Sequence, residues 1–227
     1  MFPQQPQQQF RTAGADVQIF YGSGGTTAAQ CQRSWNKPVG VSHIYMMLIG
    51  GGGNGNAVDT GGNSGAVTVW YGAAQHVPNS LIVNPSSGDS VNTTVTARFS
   101  NSTALPTALL TANAGDNTFP GAITNPNQFT ASGFFNSVRG ANGGGVGSPV
   151  TASSTTFLSG GAAGIPSSAN YGYVTVDNPN QGFFLLQPII VGMGGTSSGG
   201  SSAKGGIGCG GDVTGKGGPG LVLIASW

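Results

Sequence analysis

Glutamate is missing from this chain. Its six acidic residues are all Asp, at positions 16, 59, 89, 116, 177 and 212. Charged residues make up only 6% of the sequence, against about 25% in an average soluble domain. Glu and Lys are the usual filling of solvent-facing helices, so their scarcity argues against helices. The Asp residues stand singly, which gives no local support for a general acid/base pair or a calcium loop. Cations are equally thin. The net charge is +1 with no basic run, and phosphate neutralisation on a nucleic acid needs clustered Lys and Arg. A net charge this close to zero favours association over solubility.

Two cysteines, Cys31 and Cys209, cannot make a disulfide framework or a zinc site. They are expected to remain thiols: Cys31 precedes the first glycine-flanked strand and Cys209 the last, and if those two strands pair antiparallel their starts lie at opposite edges of the sheet. Long hydrophobic runs are absent too. "GFFLLQPIIVGMGG" is short and broken by Gln187 and Pro188, so it does not read as a membrane span. "MFPQQPQQQF" has no apolar core and is not expected to be a signal peptide.

What fills the space is glycine, 42 of 227 residues, with much Asn, Ser and Thr. Residues 1–12 form a Gln/Pro-rich extended arm with Phe2 and Phe10 as anchors, expected to order only against another subunit. Residues 13–227 read as one glycine-rich domain of many short strands: 17–22, 40–50, 66–72, 79–85, 93–99, 107–113, 150–158, 171–177, 183–192 and 220–227. In "HIYMMLI" Ile44, Met46 and Leu48 alternate with Tyr45, Met47 and Ile49, so both faces must be covered. The same holds for "LVLIAS", residues 221–226. In "TTVTARF" only Val95, Ala97 and Phe99 face inward. No segment carries a 3.6-residue apolar stripe for three turns. The fold class is therefore all-β: a β-sandwich or jelly-roll-like domain with long glycine-rich loops and few or no helices.

Three motifs invite a catalytic reading. Gly50, Gly52 and Gly55 match G-x-G-x-x-G after a strand, yet "NAVDTGGNSG" follows where a dinucleotide site needs a helix. "GGDVTGK", 210–216, matches a phosphate loop, but Gly217 stands where magnesium needs Ser or Thr. "GTSSG", 195–199, matches a nucleophile elbow, and only His43 and His76 exist to serve it. His43 reads as a core or interface residue and His76 as a turn residue. Glycine runs can pack as tight extended strands where a side chain would not fit, and here the glycines are expected to shape loops at one end of the sandwich, fixed in part by contacts within an assembly. No catalytic, cofactor-binding or metal residue follows from the sequence, and no enzyme is expected.

The order of segments carries a resemblance. "SWNKPVGV" opens it, and a strand follows in "HIYMMLIGGGGNG". "GGNSGAVTVWYG" and "VPNSLIVNPSSGDS" come next, and "GGPGLVLIASW" closes it. This resembles the glycine-rich domain of bacteriophage and other viral virion proteins, over roughly residues 34–227 with 114–170 unaligned. The resemblance implies a virion structural protein: a capsid decoration, spike or tail-fibre-associated subunit. It also implies a homo-oligomer in contact with other virion proteins, located in the virion and assembled in the host cytoplasm. Phe2, Phe10, Trp35 and Trp227 are the candidate assembly residues. The alternative is an adhesin that binds a host receptor or glycan through aromatics among neutral loops, with Trp70, Tyr71, Tyr171 and Tyr173 as candidates. Neither reading involves nucleic acid or a membrane.

Overall fold

A computed structural model describes residues 10–12, 15–22, 32–56, 60–88, 91–97, 108–144, 150–152, 174–176, 205–212 and 215–227. The fold is all-β. Twelve strands follow in chain order: β1 (Phe10–Thr12), β2 (Ala15–Tyr21), β3 (Arg33–Asn36), β4 (His43–Ile49), β5 (Val67–Ala73) and β6 (Ser80–Asn84), then β7 (Thr93–Ala97), β8 (Ala108–Ala112), β9 (Gly133–Val138), β10 (Val150–Ala152), β11 (Val174–Val176) and β12 (Leu221–Ser226). Among the described residues the only helical pieces are two single 3₁₀ turns, Ala74–His76 and Thr130–Ser132.

The larger sheet runs β1-β2-β12-β4-β5-β9, antiparallel throughout. The smaller runs β3-β6-β7-β8, also antiparallel. A separate short pair, β10 and β11, is parallel. The last strand is inserted at the centre: Leu221 lies opposite both Tyr21 and Ile49, and Ser226 opposite both Asp16 and Ile44. This is the antiparallel pairing with "HIYMMLI" on which the separation of Cys31 from Cys209 was argued. Cys209 is buried, and Cys31 lies outside the described residues.

Alternation assigns the faces. Ile44, Met46, Leu48, Trp70, Val222 and Ile224 pack inward against Trp35, Leu81, Val83, Val95 and Leu110 of the smaller sheet. Met47, Ile49, Val67, Val69, Leu221 and Leu223 form a second cluster on the opposite face of the larger sheet, joined by Ile207 and Cys209. Both faces of β4 and β12 are thus covered, as their sequences require. In β7 the alternation is one-sided: Thr93, Val95 and Ala97 are buried and Thr94 and Thr96 are half-exposed.

Four expectations need correction. Trp35 is 1% exposed between the sheets, so it is a core residue rather than an assembly contact. Phe10–Thr12 need no second subunit for their pairing; they form an edge strand against Ala15–Val17 of the same chain. His43 is not in the core but half-buried at the start of β4. The glycine stretches are not loops waiting for an assembly.

They form a packed bundle where β4, β5, β8, β9 and β12 converge. Read the amides of 61–66 in order. Gly61 donates to Gly144, Gly62 to Gly211, Asn63 to Asp116, Ser64 to Ala141, Gly65 to Gly208 and Ala66 to Asn113, all at 2.8–3.0 Å. Every third residue returns to the same neighbour, and each neighbour runs antiparallel to 61–66. A β-strand bonds to two sides; this segment bonds in three directions. Three residues per turn is the period of the polyproline-II helix, here with its amides spent on neighbouring chains instead of water. Segment 50–55 repeats the rule. Gly50 and Gly53 donate to Ala66 and Asn63, and Gly52 and Gly55 donate to Gly218 and Gly215.

Such close spacing excludes side chains. A Cβ on Gly52 would overlap the carbonyl of Cys209, one on Gly62 that of Gly53, and one on Gly217 that of Gly52. Several of the side chains present are hydrogen-bonding groups turned onto the backbone. Asn63 Nδ2 donates to the Asp116 carbonyl at 2.7 Å, the Ala141 amide donates to Ser64 Oγ at 2.6 Å, and the Gly217 amide donates to Asn54 Oδ1 at 2.9 Å. Thr93 and Ser86 make the joint with the sandwich. Thr93 Oγ1 donates to the Ile49 carbonyl at 2.7 Å and accepts from the Ser86 amide at 3.0 Å.

Candidate functional site

The bundle occupies one end of the larger sheet, where β4 ends and β5 and β12 begin. At the opposite end β4 begins and β5 and β12 finish. There the outward-facing positions are His43, Tyr71 and Trp227, with Tyr45 beside them. A seven-residue strand separates the two ends by roughly 20 Å.

Trp227 continues the ladder past β12. Its amide donates to the His43 carbonyl at 3.1 Å, and its own carbonyl accepts from the amides of Ser42 at 2.7 Å and His43 at 3.0 Å. Ser42 Oγ donates to the same carbonyl at 3.1 Å and sits 3.0 Å from His43 Nδ1. The contact positions the imidazole.

The three rings are nearly parallel. His43 and Tyr71 have centroids 5.7 Å apart at 14°, Tyr71 and Trp227 5.8 Å at 13°, and His43 and Trp227 6.2 Å at 20°. These distances form an almost equilateral triangle. A column of three stacked rings would place its outer members about 7 Å apart, twice the ~3.5 Å contact distance. The rings therefore form an offset-stacked cluster rather than a single column. Tyr71 is 38% exposed and Trp227 42%. Phe134, directly across from Tyr71 on edge strand β9, extends the patch at 61% exposure.

No Asp, Lys or Arg shares this corner of the outer face among the described residues. Asp16 lies opposite Ser226, and by alternation it points to the other face; Gln18 Nε2 donates to its carboxylate at 2.8 Å. The nearby Lys37 is spent on the 3₁₀ turn, donating to the carbonyls of Ala74 at 3.0 Å and Val77 at 2.8 Å. Tyr45 supplies a buried hydroxyl without a hydrogen-bond partner, and burial pushes its pKa from 10.0 up to about 12.

Of the four aromatics predicted to face a ligand, Tyr71 is on this surface. Trp70, its neighbour in β5, is 0% exposed and stacks on Phe129 inside the sandwich, centroids 4.7 Å apart. That expectation is corrected: adjacent strand residues point to opposite faces, and Trp70 took the core. Tyr171, Tyr173 and Phe2 lie outside the described residues, and Phe10 is in β1. Trp227, predicted for assembly, is in the cluster. His43 was missed as a member because its place at the strand start, beside Trp227 just past the end of β12, has no local signature.

The phosphate-loop motifs are accounted for by the bundle. The amides of Gly50, Gly52, Gly53 and Gly55 all donate to carbonyls of this chain, so none is turned toward a ligand. Gly211 donates to Gly53 and Gly215 to Asp212. The "GTSSG" motif lies outside the described residues. His76 ends an exposed 3₁₀ turn, as read, with Nε2 3.5 Å from Gln75 Nε2. Among the described residues no three His, Cys, Asp or Glu side chains converge as a metal site would need, and no helix is long and apolar enough to cross a membrane. No protein-family model and no curated protein matches the chain.

Proposed function

We propose that this chain is a non-enzymatic structural subunit of a virion, of the capsid-decoration, spike or fibre-associated kind. One observation carries the reading. The glycine segments make a bundle held by backbone hydrogen bonds, continuous with the sandwich strands. Their order in the sequence is that of the resembled glycine-rich virion domain. Such a module does its work by being stiff and by presenting surfaces. It needs no charge to assemble, so its self-association should change little between low and high salt. Antibody against the purified chain should decorate intact virus particles in electron micrographs. Labelling confined to particle-free fractions would exclude the role. Sedimentation at both salt levels measures the assembly separately.

A second reading is favoured by the cluster of His43, Tyr71 and Trp227: a binding module that meets a host receptor or glycan. Partly exposed aromatics at the end of the sheet away from the bundle suit contact with a surface.

A further inference from the structure

We propose that β9 is a self-association edge, to which β9 of a second copy of this chain adds antiparallel to make one continuous sheet; this rests on the structural-subunit reading above. The ladder bonds decide which way β9 faces. In the register of β4 and β5, Gly50 donates to Ala66 directly opposite, and at the other end Ala74 donates to Ser42. In an antiparallel pair, hydrogen-bonded positions alternate with unbonded ones. The even-numbered residues of β5 are therefore spent on β4, which leaves Val67, Val69 and Tyr71 to bond β9. Their opposites are Val138, Asn136 and Phe134. The amides and carbonyls of Phe135 and Ser137 then point out of the sheet, and among the described residues no backbone group meets them.

The other edges of the two main sheets are short or covered. β1 has three residues and β3 four. On β8 the carbonyls of Leu109 and Thr111 accept from Asn127 Nδ2 at 3.0 Å and Thr124 Oγ1 at 2.8 Å. β9 has six residues, GFFNSV, without a charge, a proline or a shift of register. Sheets usually guard an edge of that kind with one of these devices, because an open edge is a template for another strand. Here the edge also carries Phe134, 61% exposed.

Self-complementarity chooses the occupant. A two-fold axis beside Asn136 sets Phe135 opposite Ser137 of the second copy, and each such pair exchanges both of its ladder bonds. On the outer face the same register sets Phe134 against Val138 of the second copy, and Asn136 against Asn136. An aromatic thus meets a β-branched side chain, and two amides that each donate and accept meet one another. Arg139, next along the chain, falls opposite Gly133 of the second copy, so the two Arg139 side chains stand at opposite ends of the pairing. A foreign strand would have to supply this pattern; a second copy already has it.

The test uses the full chain. Sedimentation over a concentration series should show a monomer–dimer equilibrium. Hydrogen exchange at the amides of Phe135 and Ser137 should slow as the dimer forms, while those of Phe134, Asn136 and Val138 are protected at every concentration. Asn136 is half-exposed, so Asn136→Lys leaves the fold intact and sets like charges against each other across the axis. It should weaken the dimer at least about tenfold, and Asn136→Asp should do the same. Mixing the two variants should restore pairing as a heterodimer, because position 136 faces itself. Melting of each variant checks the fold, and the exchange measurement on the unaltered chain carries the test if either variant fails it. A dimer that survives Asn136→Lys would leave the structural-subunit reading standing and move its interface off β9. A weakened dimer that the mixture does not restore would overturn the two-fold register, and a dimer in which Phe135 and Ser137 exchange as fast as in the monomer would overturn the edge. A chain monomeric at every concentration would end the proposal, while labelling of virus particles would still decide the structural reading.

Discussion

In the sandwich, Leu81, Ile224 and Trp70 are buried side chains on a backbone bonded within a sheet. In the bundle, Gly52, Gly62 and Gly218 are buried backbone with no side chain at all. Both regions satisfy their amides, but they exclude water differently. The sandwich removes apolar area from solvent, worth roughly 25 cal/mol per Å². The bundle removes little apolar area, and glycine loses more conformational freedom on folding than any other residue. Its stability must come from many backbone hydrogen bonds, each worth about 1 kcal/mol net, formed at once along segments already anchored by sandwich strands. The bundle is therefore the dependent partner: the sheet can hold it, and beyond Ile207 and Cys209 it has few apolar side chains with which to hold the sheet.

Removing residues 221–227 is the harshest test of that dependence. The cut strips Leu221, Val222, Leu223 and Ile224 from the sheet centre and frees Gly218 and Gly220 from their anchor. At roughly 1.5–3 kcal/mol per side chain the loss exceeds half of a typical margin of about 5–15 kcal/mol. Insoluble or molten protein is expected, with both regions lost together. A soluble truncated chain with a cooperative melt would break the comparison, because the bundle's anchor would then be dispensable.

Single substitutions sharpen it. Gly218→Ala forces a Cβ into the carbonyl of Gly206, and about 3 kcal/mol or more should be lost. Leu81→Ala should cost a similar amount, about 2–5 kcal/mol, by leaving a cavity instead. The two differ in rescue. Leu81→Met should recover most of the stability, whereas Gly218→Ser should do no better than alanine. Gly40→Ala is the control. Gly40 has φ +84° and open space around it, so only backbone strain of about 1 kcal/mol is expected. Chemical denaturation of the set ranks them. Equal losses at Gly218 and Gly40 would mean that close approach is not what the bundle selects for.

The smallest effect belongs to the aromatic cluster's end of the sheet. The folded pKa of Tyr45, about 12, lies above its ordinary 10.0. The unfolded chain therefore releases this proton first as pH rises. The stability that Tyr45 contributes is complete below pH 10 and falls between pH 10 and 12, by about 1–2 kcal/mol once water's access to the half-buried ring is allowed for. Tyr45→Phe should flatten that part of the stability–pH curve. At neutral pH it should be neutral or slightly stabilising, since the buried hydroxyl has no partner to lose. An unchanged alkaline slope would assign the titration to another group.

Much of the sandwich was legible in the sequence. Alternation in "HIYMMLI", "TTVTA" and "LVLIAS" announced strands and their covered faces, because the side-chain period of a strand is two whatever it pairs with. β9 was not legible. It lies in the stretch 114–170 that resembled nothing, its residues are half-exposed, and an edge strand has less to bury. Short β3 was seen only as the Trp-led opening.

The lack of Glu, the scarcity of charge and the abundance of glycine by themselves determined an all-β chain, without helices of any length among the described residues. They did so because propensity and the cost of burying charge act residue by residue. Where the glycines went was decided only by tertiary structure. A glycine run carries no period of its own. Its threefold bonding exists only once the strand ends bring 50–55, 61–66, 113–116, 141–144, 208–211 and 215–218 side by side. The aromatic cluster is of the same kind. His43, Tyr71 and Trp227 come from distant parts of the chain, and only the antiparallel insertion of β12 beside β4 brings their rings together.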